Sequence, residues 1–303
     1  MHINSQNGNI EFHTNIFLNE DENYRDIRDW KERLLSIIQQ IPGKADTLKP
    51  IIQFLVMTIA PTKIYLLDHK NIVNQPAPPY LDLLLVIPGS NHTLFQELEP
   101  ILEIPYIKDS RVVCSLHNEG VVMQSLGNGH IFYALNFTSE NLIYDDKTNN
   151  YPDIRADVLQ EIKQRARAQF FEHFERAVDF YNCAEALYQR KPARIIAFLL
   201  HQAVEFSYRG VLLSLNGYEK RTHEIHVLKK HTRRCVPQLG AIFSSDEQEE
   251  KRLTELLSSA YLSSRYDSNY EVNENDLNII FEKVKALQNL SKELVEIKTN
   301  HCT

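Results

Sequence analysis

The stretch 195–217, IIAFLLHQAVEFSYRGVLLSLNG, decides how the rear half of this chain folds. Pro192 stands just before it, at a first helical turn where a missing N–H costs nothing, and Asn216-Gly217 closes it with a C-terminal stop signal. The pattern predicts a helix running from Pro192 to Leu215. Its most apolar part, Ile195 to Leu200, is far short of the roughly 20 residues that span a bilayer and runs directly into His201 and Glu205. It therefore reads as a helix of a folded bundle and not as a membrane span.

Outward from this helix the same pattern continues. From Asp157 onward Gly and Pro are scarce, and Phe170, Phe174, Ala177, Tyr181, Ala184 and Tyr188 mark one face of a long preceding helix. A shorter helix is predicted over about His223 to Arg234, ended by Pro237. Ser245 or Asp246 can cap another through Arg265, and Asn275 can cap a last one through Lys298. Helices of this number and length make an up-and-down bundle.

The pattern changes at Tyr151-Pro152. Ahead of it, Trp30, Leu34, Leu35 and Ile38 predict a helix over Trp30 to Gln39, and a second helix covers Ala45 to Ile59. After the Ala60-Pro61-Thr62 break, KIYLLD (63–68) reads as a strand and YLDLLLVI (80–87) as a strand buried on both faces. The loop between them holds Asn71, Asn74, Pro76, Pro78 and Pro79 and leaves no room for a helical crossover, so the two strands are expected to pair antiparallel. Thr93 to Leu102 reads as helix, Arg111 to Leu116 as strand, and Ile131 to Phe137 with Asn141 to Tyr144 as a short strand and turn. The expected fold is α+β: an α/β domain with a small mixed sheet over 1–150 and an all-helical bundle over 151–303. A length of 303 residues suits two such domains.

Composition narrows the function. With 33 Lys+Arg against 40 Asp+Glu the net charge is -7, which gives no general attraction to nucleic acid or to an anionic membrane. Residues 1–150 carry 11 basic and 18 acidic side chains and the remainder 22 of each, so any contact with RNA has to be local. Cys114, Cys183, Cys235 and Cys302 lie far apart with no CxxC pair, which suggests neither a zinc knuckle nor a disulfide framework. Met1 to Asn15 is polar and shows no secretory signal, so a cytoplasmic location with no membrane contact is the expectation.

Two resemblances follow from these motifs. The order helix, Pro-containing turn, KIYLLD, loop, YLDLLLVI resembles the nucleotidyltransferase fold of the kanamycin and minimal nucleotidyltransferases. That fold holds divalent ions on an Asp-x-Asp strand, which would imply Mg and an NTP. The chain departs from that pattern: Leu67-Asp68 stands where the family has Gly-Ser, Tyr80 where it has the first carboxylate, and only Asp82 matches. RVVCSLH (111–117) supplies no third acid, which marks the front domain as degenerate, and no cofactor is assigned with certainty. The rear half is similar to the HEPN domain, often fused to or encoded beside nucleotidyltransferases, through 195–217, THEIHVLKKH (222–231) and LTELLSSAYLSSRYDSNYEVNENDL (253–277). The stretch GNGHIFYALNFTSENLIYDD (127–146) resembles the linker region of such fusions, where a strand precedes a second strand ending in Leu-Tyr.

The candidate site residues each carry two readings. Asp82 is either a catalytic metal ligand or a buried, hydrogen-bonded structural acid. His201 and Glu205, one helical turn apart, are either a metal or acid/base pair or an internal hydrogen-bonded pair. The HEPN ribonucleases carry Arg, four to six residues, then His; here Arg265 is followed at that distance by Tyr270, Glu271 and Val272, so the histidine is missing. In related toxin–antitoxin pairs a Tyr two residues beyond that His is adenylylated, and Val272 occupies that place. Arg265, Tyr266 and Tyr270 could bind a nucleotide phosphate and stack a base. The alternative is that the two tyrosines pack the bundle end while Arg265 pairs with an internal acid such as Glu205. Lys229, Lys230, His231, Arg233 and Arg234 form a local basic cluster that is either an RNA contact or a solvated helix end. His223 is either a ligand contact or part of a capping turn. The expected function is that of a nucleotide- or RNA-binding protein, non-catalytic or weakly catalytic, homodimeric through the bundle and regulatory or defence-related. The alternatives are a Mg-dependent nucleotidyltransferase using Asp82 and a metal-independent ribonuclease using Arg265.

Overall fold

The computed structural model describes residues 48–69, 81–89, 95–243 and 248–300. The chain divides into two compact units, Met1–Ile52 and Gln53–Thr303. The helix expected at Trp30 to Gln39, Tyr80 and the proposed caps Ser245 and Asp246 lie outside the described residues. Helix α1 (Leu48–Ile59) leads through the turn at Ala60 into strand β1 (Lys63–Asp68). Strand β2 (Leu81–Ile87), helix α2 (Phe95–Lys108), strand β3 (Val112–Asn118), helices α3 (Glu119–Gly127) and α4 (Ile131–Asn136) and strand β4 (Leu142–Asp145) follow.

The sheet has the order β3-β2-β1-β4. As expected, β1 and β2 are antiparallel, with Ile64 opposite Leu85; β4 also runs antiparallel to β1. β2 and β3 are parallel, with Leu83 opposite Cys114, and α2 supplies the crossover such a pair requires. All seven residues of β2 are buried, which explains a strand of nearly continuous Leu, Val and Ile. α2 runs past the expected end at Leu102 to Lys108, because Pro100 and Pro105 each remove one backbone bond without ending the helix.

One expectation fails here. Ile131 to Phe137 is not a strand: α4 occupies it, and only 142–145 is extended. An apolar run without alternation suits either element, and Ile131, Phe132 and Ala134 bury a helical face while Asn136 Nδ2 donates to Phe132 O at 2.7 Å.

The rear half is helical, as expected. It contains α5 (Ala156–Leu187), α6 (Ala193–Val211) prolonged by a π-helical turn (Leu212–Asn216), α7 (Ile225–Thr232), a 3₁₀ turn (Pro237–Ala241), α8 (Gln248–Tyr266) and α9 (Glu274–Thr299). α6 is the central helix and packs on α5, α7, α8 and α9. At Gly210 a Cβ would lie 3.1 Å from His173 Cβ and 3.3 Å from Phe170 O, so the missing side chain is what lets α5 and α6 approach. Gly217 ends the π turn at φ 76°, in the left-handed region that glycine enters without strain. The last helix is capped by Asn273, not Asn275: Asn273 Oδ1 accepts from Asp276 N at 2.8 Å, and its amide donates back to Asp276 Oδ2. Buried side chains of the sheet (Tyr65, Leu84, Val86) and of the bundle (Phe170, Leu200, Leu257, Leu287) belong to one contiguous cluster within Gln53–Thr303. No described helix is long and apolar enough to cross a membrane.

Candidate functional site

Four residues on one helix begin the site. Helix α6 places His201, Gln202, Glu205 and Arg209 along little more than two turns, and His201 and Glu205 are almost completely buried. The His201 ring donates from Nε2 to His223 O at 3.0 Å and accepts at Nδ1 from the Gln202 amide at 3.2 Å, which assigns a neutral tautomer. Burial pushes its pKa down to about 4, in keeping with that assignment. Both ring nitrogens are therefore committed, so the metal or acid/base reading of the His201–Glu205 pair does not hold; the shortest approach of the two side chains is 3.9 Å.

Glu205 serves a different purpose. Its Oε1 accepts from Arg209 Nη2 at 3.0 Å, and its Oε2 accepts from His223 Nδ1 at 2.8 Å and from Gln202 at 3.3 Å. A buried carboxylate is tolerable only when saturated in this way. Arg209 also reaches Glu219 at 3.5 Å and Thr222 O at 3.4 Å, so it ties the 219–222 turn to α6. The result is a rigid seat for His223, whose side chain remains 45% exposed.

The exposed half of His223 lies against α8. Its ring stacks on Tyr261 with centroids 3.7 Å apart and planes 14° apart. Arg265, one turn further along α8, places its guanidinium 4.5 Å from the same Tyr261 ring, 5.3 Å from Phe198 and 5.4 Å from Tyr266. Its Nε donates to Tyr261 O at 2.9 Å and its Nη2 donates to the same oxygen, which leaves the Nη1 donors and the second Nη2 N–H for an anion. Arg265 does not pair with Glu205, as one reading expected, because Arg209 and His223 already fill that carboxylate. The site is thus an exposed arginine, an aromatic ring and a half-exposed imidazole in one stack, all on elements fixed by the core.

The expected tyrosine pair separates. Tyr266 is 80% exposed beside Arg265, whereas Tyr270 is buried with its hydroxyl donating to Leu256 O at 2.9 Å, and burial lifts its pKa to about 12. Tyr270 is part of the bundle end and faces a cavity of about 500 Å³ shared with Pro192, Arg194, Ser268 and Asn273. In the basic cluster, Lys229 turns inward and donates to Phe243 O, while Lys230, Arg233 and Arg234 are exposed. His231 Nδ1 lies 3.1 Å from the Tyr218 hydroxyl.

Asp82 lies on β2 between Leu67 of β1 and Val113 of β3, is buried, and is hydrogen bonded to His69 Nε2. Its neighbour Cys114 is pushed up to about 12 by burial and by the Asp82 charge, so it is a protonated thiol. Among the described residues no group of three or more His, Cys, Asp or Glu is arranged to hold a metal ion. On β3, His117 lies 3.1 Å from Ser115 Oγ and 3.3 Å from the Tyr133 hydroxyl; burial, then the Arg234 charge, pushes its pKa down to about 4.

Tyr261 and Arg209 were absent from the residues singled out in the sequence, although each stands four positions from one that was: Tyr261 from Arg265 and Arg209 from Glu205. The helical spacing held the signal. Residues 171–294 match the family model of the HEPN domain, and the chain carries a HEPN domain there. The match leaves the nucleotidyltransferase resemblance of the front half without support. No curated protein matches the chain.

Proposed function

We propose that the chain binds RNA or a nucleotide through its HEPN domain, at the surface formed by Arg265, Tyr261, His223 and Tyr266. The observation that supports it is the stack in which one ring, Tyr261, carries both the His223 imidazole and the Arg265 guanidinium. A guanidinium recognises a phosphate by paired donors, and the flanking imidazole and phenol rings offer faces to a base. Titration calorimetry with ATP, GTP and a short RNA against wild type and Arg265→Ala tests it. A loss of about 1.5–3 kcal/mol in the variant, roughly 10- to 100-fold in Kd, is expected for one charge-assisted contact. Binding unchanged in the variant removes the site, and no binding by wild type removes the function.

A second reading has its own observation. Glu205 holds His223 by Nδ1, so the ring's other nitrogen, Nε2, is the one left for proton transfer beside Arg265. That is the histidine the sequence lacks after Arg265, supplied from another segment, and it would serve a metal-independent ribonuclease. RNA cleavage abolished by both His223→Asn and Arg265→Ala would support this reading; RNA left intact after long incubation rejects it. A Mg-dependent transferase would have to use Asp82, whose carboxylate is engaged by His69; labelled NTP transfer that survives Asp82→Asn excludes that carboxylate. The homodimer through the bundle belongs to the same proposal and is tested by sedimentation.

A further inference from the structure

A basic face is built where α7 ends, away from the residues that surround Arg265. Lys230 and Arg234 stand four apart on a helical turn that runs past Thr232, where Arg233 N bonds Lys229 O at 3.2 Å and Cys235 N bonds Thr232 O at 2.9 Å. Residues at that spacing share a face. A separate segment brings Tyr218 to the same place, with Lys220 two residues further on: the Tyr218 hydroxyl meets His231 Nδ1 at 3.1 Å, with the two rings edge to face at 6.3 Å. The Tyr218 side chain remains 43% exposed. Burial, then the charges of Lys220, Arg234 and Lys230, lowers the proton affinity of His231, which marks three cations gathered around one imidazole. Among the described residues none of these three cations forms an ion pair with a carboxylate.

The C-terminal carbonyls of α7 favour cations and would account for Lys230 or Arg234 alone. They do not account for Lys220 and an exposed ring delivered by a different segment, nor for like charges set four apart, an arrangement that destabilises a helix. α7 has eight residues, so at 1.5 Å per residue about 12 Å of helix separates the His223 end from the His231 end. An extended strand reaches both ends.

We infer that Tyr218, Lys220, Lys230, His231 and Arg234 form a second phosphate-binding patch that takes the backbone of a single-stranded RNA, with Tyr218 as a face on which a base stacks. The patch rests on the reading of Arg265 as an RNA contact and extends it along α7. Three uncompensated cations bind phosphates with release of counterions, and the ring gives sequence-tolerant stacking.

The experiment is fluorescence anisotropy with a labelled RNA of about 12 nucleotides, within the usual range of single-strand sites. Wild type and Lys220→Gln/Lys230→Gln/Arg234→Gln are compared from about 50 to 200 mM salt, with ATP titrated separately into each. In the triple variant the slope of log K against log salt is expected to become shallower by about 2, since each phosphate contact on a single strand contributes about 0.7. ATP binding is expected to stay as in wild type. If the triple variant fails to fold by circular dichroism, Lys230→Gln alone replaces it, with a slope shallower by about 0.7. A slope and RNA affinity equal to wild type, in variants for which Arg265→Ala still weakens binding roughly 10- to 100-fold, overturn the patch and leave the Arg265 reading intact. Wild type that binds no RNA removes both. Equal affinity of wild type for RNA and for inorganic polyphosphate overturns RNA as the occupant.

Discussion

Arg209→Met isolates the contact that holds the site together. The substitution keeps an unbranched apolar side chain but removes the guanidinium that lies 3.0 Å from Glu205, 3.5 Å from Glu219 and 6.0 Å from the Phe206 ring centroid. Glu205 is 1% exposed and Arg209 14%, so water cannot replace the lost partner. Removing one member of a buried pair costs about 3–5 kcal/mol; Gln202 and His223 still donate to Glu205, which places the expected loss near 3 kcal/mol. For a chain of this size that is a fall of roughly 6–12 °C in Tm. Urea unfolding followed by circular dichroism measures it, with an unchanged m-value confirming that only stability moved. Glu205→Gln alone leaves Arg209 partly unpaired, but Arg209→Met/Glu205→Gln leaves no unpaired charge. The double variant is therefore expected to lose at least 1 kcal/mol less than the sum of the two single losses. An Arg209→Met loss below 1 kcal/mol, or strict additivity in the cycle, refutes the saturated-carboxylate account.

Three further outcomes are expected. Gly217→Ala forces a side chain into a position at φ 76° where a Cβ would lie 2.5 Å from His130 Cε1, so it should lose at least roughly 1–2 kcal/mol in the same urea assay. His117 is held neutral in the fold, with its pKa near 4, while the unfolded chain protonates below about 6.5; the unfolded state therefore binds more protons in that window, and this part of the stability is full above it and lost as pH falls toward 4. His117→Phe, whose ring suits the company of Phe132 and Phe137, should lose about 2 kcal/mol less than wild type between pH 7 and pH 5. Tyr270→Phe removes the hydrogen bond to Leu256 O and should cost about 1 kcal/mol of stability with RNA affinity unchanged, whereas lost affinity would return Tyr270 to the binding surface.

The helices of the rear half were legible because their signals are local. Pro192 and Gly217 mark the ends of α6 and its π turn, and the apolar stripe of α5 buries Phe170, Ala177, Tyr181 and Ala184 as its spacing implied. The paired strands β1 and β2 were legible for the same reason, since Pro-rich sequence between two apolar runs excludes a crossover helix. α4 was not, because Ile131 to Leu135 is apolar throughout and carries no period to separate helix from strand. The cap of α9 was misplaced by two residues: Asn273 and Asn275 have the same chemistry, and only Asn273 has Asp276 three positions on to return its hydrogen bond.

The site was legible in its parts and not in its pairing. Glu205, His223 and Arg265 stood out as residue types, but which cation neutralises Glu205 depends on how three segments meet. Arg209 lies on the same helix face and wins that place, which leaves Arg265 at the surface. The partners of Tyr261 lie 38 positions before it and four after it, a juxtaposition that only the packing of α6 against α8 creates.

The central claim is that RNA meets this chain at the His223–Tyr261–Arg265 stack, and side-chain NMR reads it at the residues themselves. With imidazole and tyrosine rings labelled, addition of a short RNA is expected to shift the His223 and Tyr261 resonances in wild type while those of the buried His201 and Tyr208 stay in place. RNA that binds and leaves His223 and Tyr261 unmoved would contradict the claim.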